Sequence, residues 1–111
     1  MILTIAERLV ILGSLSQKGD IVYLRVRNDL VNKVGLSGKE IKKYDLKITP
    51  EGMATWKMDL PQEKEIEITD TEMGMIREDL KRLDQQKALT PSHVSLYEKF
   101  VDPKLEIEKP N

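Results

Sequence analysis

Residues 69–89, TDTEMGMIREDLKRLDQQKAL, form the longest run of the chain whose apolar residues recur at helical spacing. Met73, Ile76, Leu80 and Leu83 follow one another at intervals of three, four and three, which places a narrow apolar stripe along an amphipathic helix. Glu72, Arg77, Asp79, Lys81, Arg82 and Asp84 are left for the wet side. Thr69 with Glu72 three residues on is the pattern of a capping box, in which each side chain bonds the other residue's backbone N–H. Asp70 adds negative charge at the positive end of the helix dipole, and Lys81, Arg82 and Lys87 add cations toward the other end. A stripe this narrow does not belong to a helix buried on all sides. It predicts a helix lying across a sheet or small bundle that the rest of the chain must supply.

Working outward, Thr4 and Glu7 form a second capping-box pair, and Ile5, Leu9 and Leu12 behind them predict a short helix that stops at Gly13. Asp20 is placed as the next N-cap. In residues 21–34, Val22, Leu24 and Val26 alternate as in a strand, whereas Tyr23, Val26, Leu30 and Val34 repeat as in a helix ending at Gly35. The helix is favoured because its period persists through Leu30 and Val34, where alternation fails. Ser37 and Glu40 give a third capping box and a short helix through Ile41 and Tyr44. Residues 47–49 and 53–56 then read as two strands around the turn Pro50-Glu51-Gly52. Residues 63–69 add an alternating strand, with Ile66 and Ile68 on one face and Glu63, Glu65 and Glu67 on the other, completing one small antiparallel sheet. Thr90-Pro91 opens a last helix whose inward side is Val94, Tyr97 and Val101, with Leu96 and Phe100 beside them. The expected organisation is one domain over residues 1–103 and a tail over residues 104–111, in which Leu105 and Ile107 alternate with Glu106 and Glu108 as an edge strand or a disordered end.

With 111 residues and no cysteine, the chain must be held by an aliphatic core, and a disulfide scaffold, a thiolate metal site and a cysteine nucleophile are excluded. The longest apolar run, Leu9 to Leu12, is too short to span a bilayer or serve as a signal core, so the expected location is the cytoplasm. A net charge of −1 argues against bulk coating of nucleic acid. The charge is nevertheless unevenly spread. Residues 18–47 hold eight cations against four acids, and residues 59–84 hold nine acids against four cations, so the two halves either complement each other or receive charged partners.

Three helices, a hairpin and further helix give the order of a small winged-helix-like α+β domain with its sheet on the central helix. On that scaffold Arg25, Arg27, Lys39, Lys42, Lys43, Lys47 and Lys57 are the candidate phosphate contacts. The third helix carries no Arg, Asn or Gln for bidentate base contacts, which leaves sequence-specific readout little to work with. Glu63, Glu65 and Glu67 present a flat carboxylate row that is first the wet face of an amphipathic strand and, as a site, suits a basic partner better than a divalent cation, whose oxygen ligands must converge. Trp56 is either the aromatic plug between sheet and central helix or an exposed partner anchor, and a sole tryptophan favours the plug. Ser92 and His93 are neighbours on a helix and diverge too far for a nucleophile–base pair. No phosphate-binding glycine loop, HExxH or paired-carboxylate motif is present, so no enzyme and no cofactor are expected.

The ending KRLDQQKALTPSHVSLYEKFVD, with the acidic EKEIEIT strand before its helix, resembles small bacteriophage and prophage proteins. The resemblance implies a phage context and a non-enzymatic task, and it transfers no site residue. The expected function is a non-catalytic protein-interaction module, with a winged-helix DNA-binding regulator as the alternative. Another protein is the expected partner, bound through Glu63, Glu65 and Glu67 or through Leu105 and Ile107 of the tail; a homodimer stays open and no membrane partner is expected.

Overall fold

The capping boxes at Thr4, Ser37 and Thr69 all form, and each starts a helix where the sequence places it. In the computed structural model, which describes residues 1–101, strand β1 (Ile2–Thr4) leads into helix α1 (Ile5–Ser14), followed by α2 (Ile21–Val34) and α3 (Gly38–Tyr44). The hairpin β2 (Lys47–Ile48) and β3 (Ala54–Thr55) follows, then β4 (Glu63–Glu65), the central helix α4 (Asp70–Gln85), a 3₁₀ turn at Pro91–His93 and α5 (Val94–Phe100). This is an α+β architecture. The tail over residues 104–111, with Leu105 and Ile107, lies outside the described residues.

Helix wins over strand in α2 because Leu30 and Val34 are fully buried on its inner side and Asp20 caps it, accepting the Tyr23 N–H at 2.8 Å. Gly35 ends it for a steric reason: a Cβ there would lie 2.8 Å from the Val31 carbonyl oxygen. Gly13 does not stop α1, which runs on to Ser14, and a Cβ at that glycine would meet nothing. Gly52 has a φ of +85°, the left-handed backbone its turn between β2 and β3 requires.

The expected single sheet is two separate ladders. β2 pairs with β3, while β4 pairs antiparallel with β1, matching Ile2 with Glu65, Leu3 with Lys64 and Thr4 with Glu63. The ladder is extended at both ends, since Met1 and Ile66 exchange backbone bonds at 2.8 and 2.9 Å and the Ile5 N–H donates to Gln62 O at 3.1 Å. The core is aliphatic apart from one ring. Leu3, Ile11, Leu15, Leu30, Val34, Ile66, Ile76, Leu80, Leu96 and Phe100 pack together, with α1 touching α2 and α4 and with α4 touching α2 and α5. On α5 the inward residues are Leu96 and Phe100, whereas Val94 is exposed and Tyr97 and Val101 are only half-buried. Phe100, not Trp56, is the aromatic plug.

Two residues expected on the wet side of α4 are buried, Glu72 at 3% exposure and Asp79 at 7%. Each has partners that periodicity cannot reveal. The Tyr23 hydroxyl donates to Asp79 Oδ2 at 2.8 Å, the Ser16 N–H donates to the same oxygen at 3.3 Å, and Arg82 stands 3.6 Å from Oδ1. Burial and then the hydrogen bond to the Asp79 carboxylate push the Tyr23 phenol up to about 12.

Glu72 belongs to a recurring device in which the glutamate of a capping box also receives a cation from another element. Lys33 of α2 pairs with Glu72 at 2.8 Å, and Lys99 of α5 pairs with Glu7 at the same distance. Arg8 of α1 forks onto Glu40 of α3 at 2.8 and 3.0 Å. Arg8 itself is 1% exposed; its Nε donates to Val34 O at 2.9 Å and its Nη2 to Gly35 O at 2.8 Å, so the cation also sits at the negative end of the α2 dipole. The Arg8 guanidinium outweighs burial and holds the Glu40 carboxyl at about 2. For Glu7 and Glu72 burial is the largest influence and opposes ionisation, yet the lysine together with the cap N–H groups leaves both carboxyls below their ordinary value. Each of these three helix starts is thereby fixed twice, locally by its cap and across the fold by an ion pair.

Candidate functional site

The cations of the basic half are divided by the fold. Arg25 stands exposed on α2, whereas Arg27 on the same helix is half-buried and donates from Nε to Ser16 O at 2.9 Å, fastening the loop between α1 and α2. Lys39, Lys42 and Lys43 are exposed on α3. The Lys57 N–H donates to Tyr44 O at 2.7 Å, which brings the end of β3 against the end of α3 and sets Lys42, Lys43, Lys47 and Lys57 at one junction. Two of these are already engaged: Lys43 Nζ lies 5.4 Å from the centre of the Tyr44 ring, and Lys47 pairs with Asp45 at 3.6 Å. The Tyr44 hydroxyl donates to Pro61 O and ties this corner to the approach of β4.

Glu63, Glu65 and Glu67 are all exposed. Opposite Glu65 stands Ile2, and Glu65 Oε2 lies 2.6 Å from the Met1 ammonium. Lys64 points to the other face, where its Nζ is 3.9 Å from Glu40, and the fully buried Leu3 is its cross-strand neighbour. The carboxylates thus line the outer face of the β1–β4 ladder. Among the described residues no three acidic or histidine side chains converge as a metal site requires.

The feature sequence reading underweights is the apolar side of the hairpin. The pairing of Ile48 with Ala54 puts both on one face, which Trp56 shares two residues on, while Lys47 and Thr55 take the opposite face. Ile48 is 64% exposed, and the flanking Met53 and Met58 are 68% and 69% exposed. A groove of about 380 Å³ runs between this hairpin and α1, lined by Ala6, Leu9, Val10, Met53, Ala54 and Trp56. A second hollow of about 370 Å³ lies against Trp56 between Thr55 and Met58. Trp56 is half-buried, and its indole N–H is fixed by Gln62 Oε1, whose amide nitrogen in turn donates to Lys57 O and Leu60 O. The ring is therefore held between two surface hollows and lies outside the buried core. Signals for it were present in the sequence, since Met53, Trp56 and Met58 crowd one short hairpin, but alternation alone does not say that nothing covers them.

His93 meets a serine distant in sequence. Its Nδ1 accepts the Thr90 N–H at 3.0 Å, which leaves the proton of the neutral ring on Nε2, 3.1 Å from Ser14 Oγ. Ser14 Oγ itself donates to Val10 O at 2.6 Å. The nitrogen facing the serine is a donor and cannot take its proton, so the pair latches the start of α5 to the end of α1. Ser92 is exposed and unconnected to the ring. No described helix is long and apolar enough to cross a membrane. No protein-family profile matches the chain, and no curated protein or solved structure is significantly similar to it.

Proposed function

We propose that the chain is a non-catalytic interaction module, working in the cytoplasm, that docks another protein through the hairpin surface around Trp56. The observation that carries this reading is the clustering of Ile48, Met53 and Met58, each about two-thirds exposed, around a tryptophan held in place between two hollows. A contiguous apolar patch with an immobilised aromatic is the anatomy of an interface centre, where aromatic and methionine side chains are enriched and charges sparse. The wing-like hairpin of the winged-helix reading is on this account a protein-binding element. The phage or prophage setting rests on the resemblance of the chain's ending alone.

The test is photo-crosslinking in the native host with a photoreactive residue in place of Met58, compared with the same group in place of Lys81 on the exposed side of α4. A discrete crosslinked partner at Met58 that is absent at Lys81 and lost with Trp56→Ala supports the reading; equal labelling at both positions refutes it. The DNA alternative is favoured by one observation, the junction of Lys42, Lys43, Lys47 and Lys57. It predicts duplex binding whose affinity falls with salt at a slope of about −0.9 per phosphate contact, each lysine-to-alanine change removing about one contact.

A further inference from the structure

The β1–β4 ladder has one edge partly covered and one edge open. Backbone bonds join Met1 with Ile66 and Ile5 with Gln62, and in an antiparallel pair hydrogen-bonded and non-bonded residue pairs alternate. Leu3 and Lys64 are then the next bonded pair, while Ile2 with Glu65 and Thr4 with Glu63 are the non-bonded pairs, whose N–H and C=O groups point away from the partner strand. On the β1 side two of those outward groups are occupied: Ile2 O accepts from Lys99 Nζ at 3.1 Å, and the Thr4 N–H donates to Glu7 Oε1 at 3.0 Å. On the β4 side the outward N–H and C=O groups of Glu63 and Glu65 meet no partner among the described residues, and β4 is exposed throughout.

We infer that the open edge of β4 accepts an extended, lysine- or arginine-bearing segment of a partner protein as a third strand. The outward amides and carbonyls of Glu63 and Glu65 supply main-chain bonds, as in strand addition generally. Charge selects the occupant. Residues on neighbouring strands face one another on the same side of a sheet, so a segment with cations at every second position sets them beside Glu63, Glu65 and Glu67. A second copy at this edge brings glutamate against glutamate, the arrangement by which edge strands are kept from pairing with themselves. The open edge therefore rejects its own kind and admits a basic strand. This inference rests on the interaction-module reading and adds a surface independent of Trp56.

The experiment uses the full chain, labelled for nuclear magnetic resonance, and a short synthetic peptide in which lysine alternates with valine. At low salt the expected result is a shift of the Glu63 and Glu65 amides with slowed hydrogen exchange, and affinity about three- to tenfold weaker with Glu63→Gln and Glu67→Gln combined. A peptide of the same sequence and charge with its backbone amides N-methylated is expected to lose the shifts, because it has no main-chain N–H to donate to the Glu63 and Glu65 carbonyls. Equal binding of the N-methylated peptide, equal binding of a peptide with glutamate for lysine, or no shift at these amides overturns the inference. Failure here with Trp56-dependent crosslinking intact removes the strand-addition site and leaves the module; loss of that crosslinking with peptide binding intact removes the hairpin reading alone.

Discussion

Arg8→Met removes a buried guanidinium while keeping an unbranched side chain in the same space. Three acceptors lose their donor at once: Val34 O, Gly35 O and the Glu40 carboxylate. Breaking a buried ion pair typically costs about 3 to 5 kcal/mol, much of it for the charge left behind. Glu40 keeps 18% of its side chain exposed and can recover water, which places the expected loss toward the lower end. The Glu40 carboxyl agrees in direction, held at about 2 against an ordinary 4.5 by Arg8 first and further by the Ser37 N–H and Lys64. The pH dependence has a definite sign. Because the folded pKa of Glu40 is the lower one, the unfolded chain takes up the proton first as pH falls; the contribution is complete above pH about 4.5 and is lost as pH drops toward about 2. Urea unfolding followed by circular dichroism at neutral pH and near pH 3 should therefore show Arg8→Met about 3 kcal/mol less stable at neutrality, with a shallower acid decline than the parent chain. Glu40→Gln combined with Arg8→Met should cost much less than the sum of the two. A loss below about 1 kcal/mol, or an unchanged acid decline, refutes the clamp.

On the central helix, Leu80→Ala should cost about 2 to 5 kcal/mol and Lys81→Ala less than about 0.5, while Asp79→Ala, which periodicity assigns to the wet side, should cost about 1 to 3 because the Tyr23 hydroxyl and the Ser16 N–H lose their acceptor. Equal small effects at all three positions in thermal unfolding would mean that α4 is not the core seam. The absorbance of tyrosinate should contain one late step near pH 12 that disappears in Tyr23→Phe, and a titration unchanged by that substitution would contradict the bond to Asp79.

The helix starts were legible because a capping box is local: threonine or serine and a glutamate three residues on carry their own partner with them. The stripe on α4 was legible for the same reason, through Ile76 and Leu80. What alternation could not convey was the second use of polar residues. Glu72 and Asp79 were assigned to solvent by their position on the helix wheel, but Lys33 and Tyr23 arrive from α2 and pair with them. The inward face of α5 was centred wrongly, with Val94 on it, because five apolar or aromatic residues fall within eight positions, leaving the period undetermined until Arg77 Nε, bonded to Phe100 O at 2.8 Å, fixes how that helix sits on α4.

The sheet was misread for a different reason, and it bears on the proposed partner edge. Residues 63–69 alternate clearly, yet alternation names the two faces of a strand and never its neighbour. β1 is three residues long and passes straight into the cap of α1, too short to show a period of its own. Its assignment as the neighbour of β4 comes only from register, and register also decides which backbone groups are spent. Because Lys99 and Glu7 occupy Ile2 O and the Thr4 N–H on the outer side of β1, the edge at Glu63 and Glu65 is the more open to a further strand. The same Glu7 that caps α1 and binds α5 thereby helps close one edge, so Lys99→Ala, by releasing Ile2 O, should expose a second site for an added strand while lowering stability through the lost pair with Glu7. In the peptide titration this predicts new shifts at Ile2 and Thr4 beside those at Glu63 and Glu65. Shifts confined to β4 in that variant would show that Lys99 is not what keeps the β1 edge shut.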